Sequence, residues 1–135
     1  MDITYTALPG GVRVSGHSAG VPYQISGVHV TVMTPRERVV NRGMVTTLDG
    51  TAHAAVDRVD TEWSVTTDII DADDWDHWRE LAASASPSTT VRIDPGDLYG
   101  MQSGDIVGYI TGGVQFARVG ELGRFRASFA VREPH

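Results

Sequence analysis

The stretch Asp71 to Pro87, DADDWDHWRELAASASP, is the one convincing helix in a chain that otherwise alternates between strand and turn signals. Asp71 or Asp73 is placed to cap its start, because a short side-chain oxygen there accepts from the free N–H groups of the first turn. Asp74 and Asp76 follow, where negative charge offsets the positive end of the helix dipole. Trp75, Trp78 and Ala82 recur at i, i+3 and i+7, flanked by Leu81 and Ala85, which makes one apolar face. His77, Arg79, Glu80 and Ser84 fall on the other sides. Ser86-Pro87 ends the helix, since the residue before proline is pushed out of the α region. The spacing therefore predicts a helix over about Asp73 to Ala85. Three turns are too short to be stable alone, so the tryptophan face must dock on what the rest of the chain supplies, and that is sheet.

Around the helix the chain is punctuated by turns. Ile3 to Leu8 alternates, Pro9-Gly10-Gly11 turns, and Val12 and Val14 continue, which predicts an N-terminal hairpin. Tyr23 to Met33 is a long strand pattern that Pro35 interrupts. Thr34 to Gly43, TPRERVVNRG, carries Arg36, Arg38 and Arg42 against Glu37, with Val39-Val40 in its middle. It suits an arm-like extended loop joining two strands, or an ordinary strand continuing past Pro35. Two exposed valines in an arm would suggest a partner surface. Met44 to Leu48 and Thr51 to Val59 flank Asp49-Gly50, a tight-turn signal. Glu62 to Ile70 alternates with Trp63, Val65, Thr67 and Ile69 on one face. After the helix come Thr89 to Ile93, a short segment Leu98 to Met101, Ile106 to Thr111, Gly112-Gly113 as turn or bulge, and Val114 to Val119. Arg124 to Glu133 closes the chain, with Phe125, Ala127, Phe129 and Val131 inward. Strands at short spacing on both sides of one helix predict a mainly β fold. The expected architecture is an antiparallel β-sandwich or barrel with the helix packed on one open side. Trp63, Trp75, Trp78, Leu81, Phe125 and Phe129 are its expected core anchors.

At 135 residues the chain is most simply one domain, with no internal repeat or linker to split it. No apolar run approaches the ~20 residues that span a bilayer, so no membrane partner is expected. The N-terminus has neither a basic segment nor a long apolar core, so no signal peptide is expected. With no cysteine, disulfides and thiolate metal sites are excluded. A net charge of −6 argues against general nucleic-acid binding.

No catalytic or metal motif survives inspection. An EF-hand loop started at Asp71 would place Trp75 and Asp76 at its fifth and sixth positions, where an oxygen ligand and glycine are required. Asp73 and His77 share a helix face at i, i+4, but no second histidine pair completes a zinc site. His17, His29, His53, His77 and His135 are dispersed, and no serine lies in a G-x-S-x-G setting. Gly10-Gly11 and Gly112-Gly113 match neither a dinucleotide fingerprint nor a P-loop. The residues therefore indicate no enzyme, no cofactor, no metal and no small-molecule substrate.

Charge is distributed unevenly. From Asp60 to Glu80 there are eight acids and one arginine, and from Gly112 to His135 four arginines and two glutamates. One acidic face and two arginine-bearing faces on one subunit suit a head-to-tail contact, which closes into a ring when repeated about an axis. The expected inter-subunit contacts are Arg36, Arg38, Val39, Val40 and Arg42 of the arm, Asp74, Asp76 and Glu80 of the helix, and Arg118, Arg124 and Arg126 near the end.

From Trp63, through W-x-x-W-R-E-L, V-R-I-D-P-G, L-Y-G and G-D-I-V-G-Y-I, to the closing R-F-R-A-S-F-A-V-R-E-P, the layout resembles a known family. It is similar to the distal-tail and tail-tube-like β-sandwich proteins of long-tailed bacteriophages, especially those infecting actinobacteria. The likeness covers roughly Met44 to Pro134. It implies a structural virion protein of the tail or baseplate, made in the host cytoplasm. Such a protein would assemble with itself and other tail proteins into a ring, usually hexameric, around a channel through which DNA passes without specific binding. The arm would then reach the next ring. The residues leave two alternatives of other classes: a monomeric carbohydrate- or ligand-binding sandwich using Tyr99 and Tyr109 as its platform, and, less favoured because acids are expected in turns, an enzyme with a carboxylate site around Asp94, Asp97 and Asp105.

Overall fold

The computed structural model describes the backbone of residues 1–46, 52–87, 89–96, 104–121 and 123–134, and their side chains except at 40–46 and 52–58. Its strands are β1 (Asp2–Thr6), β2 (Pro22–Ile25), β3 (Val30–Thr46), β4 (Ala52–Thr67), β5 (Val91–Asp94), β6 (Ile106–Val119) and β7 (Arg124–Pro134). A 3-10 turn, Ala72–Asp74, leads into the helix α1 (Trp75–Ser84) between β4 and β5. All seven strands form one antiparallel sheet in the order β2-β1-β5-β6-β7-β4-β3. The fold is thus mainly β, with a single short α-helix among the described residues, as the turn spacing predicts.

That order forces the sheet to curl. β2 and β3 are its two edges, yet only Ser26–His29 joins them. Five residue steps reach about 18 Å at full stretch, whereas seven flat strands would be roughly 29 Å across. The edges must therefore approach each other, giving the sandwich-like closure. Hydrogen bonds line the seam: Val28 N donates to Met1 O at 2.9 Å, the amino group of Met1 donates to Val28 O at 3.1 Å, and Asp68 N donates to His29 O at 2.7 Å. β6 changes partner along its length. It pairs with β5 through Ile106–Gly108 and with β7 from Tyr109 on, and its register slips between Thr111 and Gln115. Gly112 and Gly113, at φ 74 and 76, supply the left-handed backbone of that bulge, which bends the strand.

Inside the curl, Ile3, Tyr5, Ile25, Val65, Val91, Ile93, Ile106, Ala127, Phe129 and Val131 form one buried cluster, closed by Trp78 and Leu81 of α1. Alternation along β7 is as expected for Ala127, Phe129 and Val131, which are buried. Trp63 is buried too, while Phe125 and Trp75 are half-buried and stacked on each other, centroids 4.7 Å apart.

Four expectations change. The partner of β1 is β2, not Val12–Val14. Residues 7–21 form a compact loop whose ends meet where Gly20 N donates to Ala7 O at 2.7 Å. The long strand from Tyr23 breaks at residues 26–29, the seam itself. Ile69 is exposed and Ile70 buried, because β4 ends at Thr67 and Ile70 N then donates to Phe125 O at 2.8 Å. Finally, Thr34 to Gly43 is not an extended loop. It lies within β3, and Pro35 pairs with Trp63; proline is tolerated there because β3 is an edge strand. The β4–β7 pairing stops at Asp60↔Pro134, so Val39–Thr46 and Ala52–Val59 run on beyond it as a two-stranded ribbon. Buried Asp60 fixes its base, its carboxylate 2.8 Å from Nε of Arg132. The Asp49-Gly50 turn, Leu98 to Met101 and His135 lie outside the described residues.

β6 and β7 approach closely at Gly108, where a Cβ would stand 2.2 Å from the Arg132 carbonyl oxygen. Gly108→Ala is expected to lower the unfolding free energy by roughly 2–3 kcal/mol. Gly10→Ala, with nothing within 4 Å of its Cβ, should leave it almost unchanged. Urea midpoints for the two variants check this, and equal midpoints would contradict the packing.

Candidate functional site

Of the eleven residues expected at a subunit contact, Glu80 is the clearest correction. It is fully buried, so it cannot meet a neighbouring molecule. α1 is rolled so that its buried arc runs from Trp78 and Leu81 to Glu80 and Ser84, with Ala82 half-buried and Ala83 exposed. The roll lets the N-terminal loop sit on the helix. Leu8 N donates to Ser84 Oγ at 3.1 Å, and Gly11 comes so close that a Cβ would lie 2.4 Å from that oxygen. Both oxygens of Glu80 are then filled. The backbone N–H groups of Arg13 and Val14 donate to Oε2 at 3.0 Å each, Tyr5 Oη donates to Oε1 at 2.9 Å, and His17 Nδ1 also meets Oε1.

Burial alone would raise the Glu80 carboxyl, but these hydrogen bonds outweigh it and hold the group down to about 2. The same burial, with the Glu80 carboxylate beside it, pushes the Tyr5 phenol well above its ordinary range. Around them Tyr23 stacks on His77 at 3.6 Å with rings 2° from parallel, and His77 Nδ1 lies 3.2 Å from Tyr5 Oη. Two dispersed histidines, two tyrosines and a glutamate thus meet at one point. Sequence spacing could not show this, because Glu80's partners lie 63 to 75 residues away along the chain.

The other acids behave as a helix start. Asp71 Oδ1 accepts from Asp73 N at 3.1 Å, the expected cap, and Asp76 is exposed. Asp74 is half-buried, and its carboxyl is raised by burial and by neighbouring Asp71. Asp71 and Asp74 edge a cavity of about 540 Å³ at the seam, between the β2–β3 connection, the Trp75–Phe125 stack and Arg124. Among the described residues, no group of three or more histidine or carboxylate side chains is arranged to hold a metal ion.

The arm residues occupy a different place. Arg36 and Arg38 are exposed on β3, with Arg38 Nη1 3.8 Å from Glu62 Oε2. Val39 is 53% exposed and Val59, directly opposite on β4, is 39% exposed. The side chains of Val40 and Arg42 lie outside the description. Arg118 donates to Glu121 O at 3.3 Å, Arg126 Nη2 lies 3.8 Å from Asp68 Oδ1, and Arg124 is exposed at the cavity rim. The acidic and basic contact residues are therefore spread over several faces. What β3 does assemble is one long open edge. It has 17 residues and no strand on its outer side among the described residues. The opposite edge, β2, has four residues beginning with Pro22, and short strands and prolines are how proteins blunt an edge. β3 carries one proline and three arginines against a length several times greater, and its exposed Val39 lies on the ribbon.

No protein-family model matches the chain, and no curated protein is significantly similar to it. Among the described residues no helix is long and apolar enough to cross a membrane.

The Glu80 clamp gives a direct test. Its folded value lies below the ordinary 4.5, so its stabilisation is complete above pH 4.5 and is lost as pH falls toward about 2. Glu80→Gln is expected to destabilise by roughly 2–3 kcal/mol at neutral pH and to flatten the acid limb. Thermal melts between pH 2 and 7 check both, and parallel acid limbs would contradict the assignment.

Proposed function

We propose that the chain is a structural assembly subunit that works by associating with copies of itself, and that its setting is the tail or baseplate of a bacteriophage virion. The observation that carries association is the open β3 edge, extended by a ribbon on which Val39 and Val59 are paired and exposed. An edge of this length is a template for pairing with another chain, and an exposed valine pair gains by being covered. The charges favour a particular geometry. Two β3 strands paired antiparallel about Glu37 would oppose Arg36 to the counterpart's Arg38, and pairing about Arg38 would oppose that residue to itself. Like charges opposed across strands destabilise. A simple two-fold contact along this edge is thus disfavoured, and a head-to-tail contact, the kind that closes rings, is favoured. The virion setting rests on the layout from Trp63 to Pro134 that resembles tail-tube-like and distal-tail proteins. In this reading no bond is made or broken. Subunits bury apolar edge and arginine–carboxylate contacts, the ring order follows the family's usual six, and DNA passes without specific binding.

A second reading, a monomeric ligand-binding module, draws on the seam cavity with its Trp75–Phe125 stack. It does not draw on the tyrosine platform, since Tyr109 is half-buried within β6 and Tyr99 lies outside the described residues. Glycan titration by calorimetry addresses it.

Sedimentation velocity and negative-stain micrographs of the purified chain test the first reading. Ring-sized particles are expected, and the double change Val39→Asp, Val59→Asp should return them to monomer with an unaltered circular dichroism spectrum. A wild-type chain that stays monomeric at high concentration, or a double variant that assembles like wild type, would refute it.

A further inference from the structure

Both ring nitrogens of His17 face oxygens that can only accept. Nδ1 meets Oε1 of Glu80, and Nε2 lies 2.9 Å from the Val21 carbonyl. A neutral imidazole has one N–H and can satisfy only one of them. Both contacts are hydrogen bonds only when the ring carries two protons and a positive charge. The surroundings fit that state. Glu80 accepts from two backbone amides and from Tyr5 besides His17, as an ionised carboxylate does. Tyr5 of β1 gives its proton to Glu80, so it accepts from His77 Nδ1 of α1, and His77 is not a competing proton source for the carboxylate. Tyr23 of β2 presents a ring edge-on to His17 at 5.9 Å. The guanidinium of Arg13 is turned outward onto the carbonyls of Gly10 and Val12.

We propose that His17 is a proton-operated latch that fastens the loop of residues 7–21 to α1. With the ring doubly protonated, one side chain bridges the helix carboxylate to the far end of its own loop. When the ring loses a proton it keeps the bond to the carboxylate, the stronger acceptor because it is charged, and releases the Val21 carbonyl. The segment Ser18 to Val21 then loosens. The near end stays held, because Arg13 and Val14 still donate to Glu80 and Leu8 still donates to Ser84. The sign follows from the proton. The latch is closed where the ring is charged and opens as pH rises through its titration. Glu80 acts in the opposite direction and gives way only in strong acid. Opening frees the segment Ser18 to Val21, so this corner of the molecule changes shape with pH while the sheet does not. The latch does not depend on self-association.

Nuclear magnetic resonance of the full chain across the His17 titration provides the test. Beyond the ordinary rise with hydroxide, exchange at the Gly20 and Val21 amides is expected to increase about tenfold or more, the size expected for one lost charge-assisted hydrogen bond. It should do so at the midpoint of the His17 ring, with Arg13 and Val14 unchanged. Above the midpoint the ring nitrogens should report the Nδ1–H tautomer. His77→Gln should preserve this behaviour and His17→Gln should abolish it. Flat exchange through the titration, an Nε2–H tautomer, or the same transition in a folded His17→Gln protein would overturn the proposal. The wild-type titration decides even if that variant does not fold.

Discussion

The buried carboxylate of Glu80 is the contact on which the rest of this structure depends. A short helix is unstable by itself, and a sheet that curls to bring its edges together leaves an end to be covered. Trp78 and Leu81 bury α1 against the sheet, but apolar packing is not directional and would tolerate several rolls of so short a helix. The four donors gathered on Glu80 fix one roll. They also account for the fifteen-residue loop 7–21, which buries little apolar surface, since of its apolar residues only Ala7 is fully buried. In its place the loop gives Glu80 two backbone N–H groups and a histidine. Buried charge is costly unless its hydrogen-bonding capacity is filled, and here it is filled by groups from β1 and the loop together.

Once that end is closed, the sheet's two edges become unequal. Ser26–His29 brings β2 and β3 together at the seam, and β2 is four residues long and begins with proline. β3, at 17 residues, has no strand on its outer side among the described residues. The β4–β7 pairing ends at Asp60↔Pro134, and among the described residues β4 has no second neighbour beyond it, so the pair of β3 and β4 continues as a ribbon. Asp60 and Arg132 mark the point where the packed molecule stops and the ribbon begins. The proposed association grows from this asymmetry and not from a pocket or a reactive group. The acids of the helix start, which suggest a contact surface in the sequence, are largely capping and solvated groups.

The sequence makes most of the strand positions legible because alternation reports a half-buried face. β7 is the clearest example, with Ala127, Phe129 and Val131 inward as expected. The helix and its Asp71 cap are legible for the same reason, that their signals are local. The failures are all non-local. Val12 and Val14 have strand-like residues, but β1 pairs with Pro22–Ile25, and alternation says nothing about which strand is the neighbour. Pro35 signals a break in a central strand and none on an edge, and edge position is a property of the whole sheet. Glu80 lies on the polar side of the helix by spacing, and only a loop more than sixty residues upstream turns that side inward. For the candidate surface, the sequence indicates Arg36, Arg38 and Val39 but not Val59. The exposed pair exists only because register sets β3 against β4.

The central claim is that the closed end leaves β3 as the surface through which copies meet. Hydrogen exchange of the β3 amides, compared between a dilute and a concentrated solution of the full chain, measures this most directly. The account predicts that outward amides between Val30 and Val39 gain protection with concentration, while those of β2 and the loop of residues 7–21 do not. Unchanged β3 exchange in an assembled sample, with the gain elsewhere on the molecule, would contradict it.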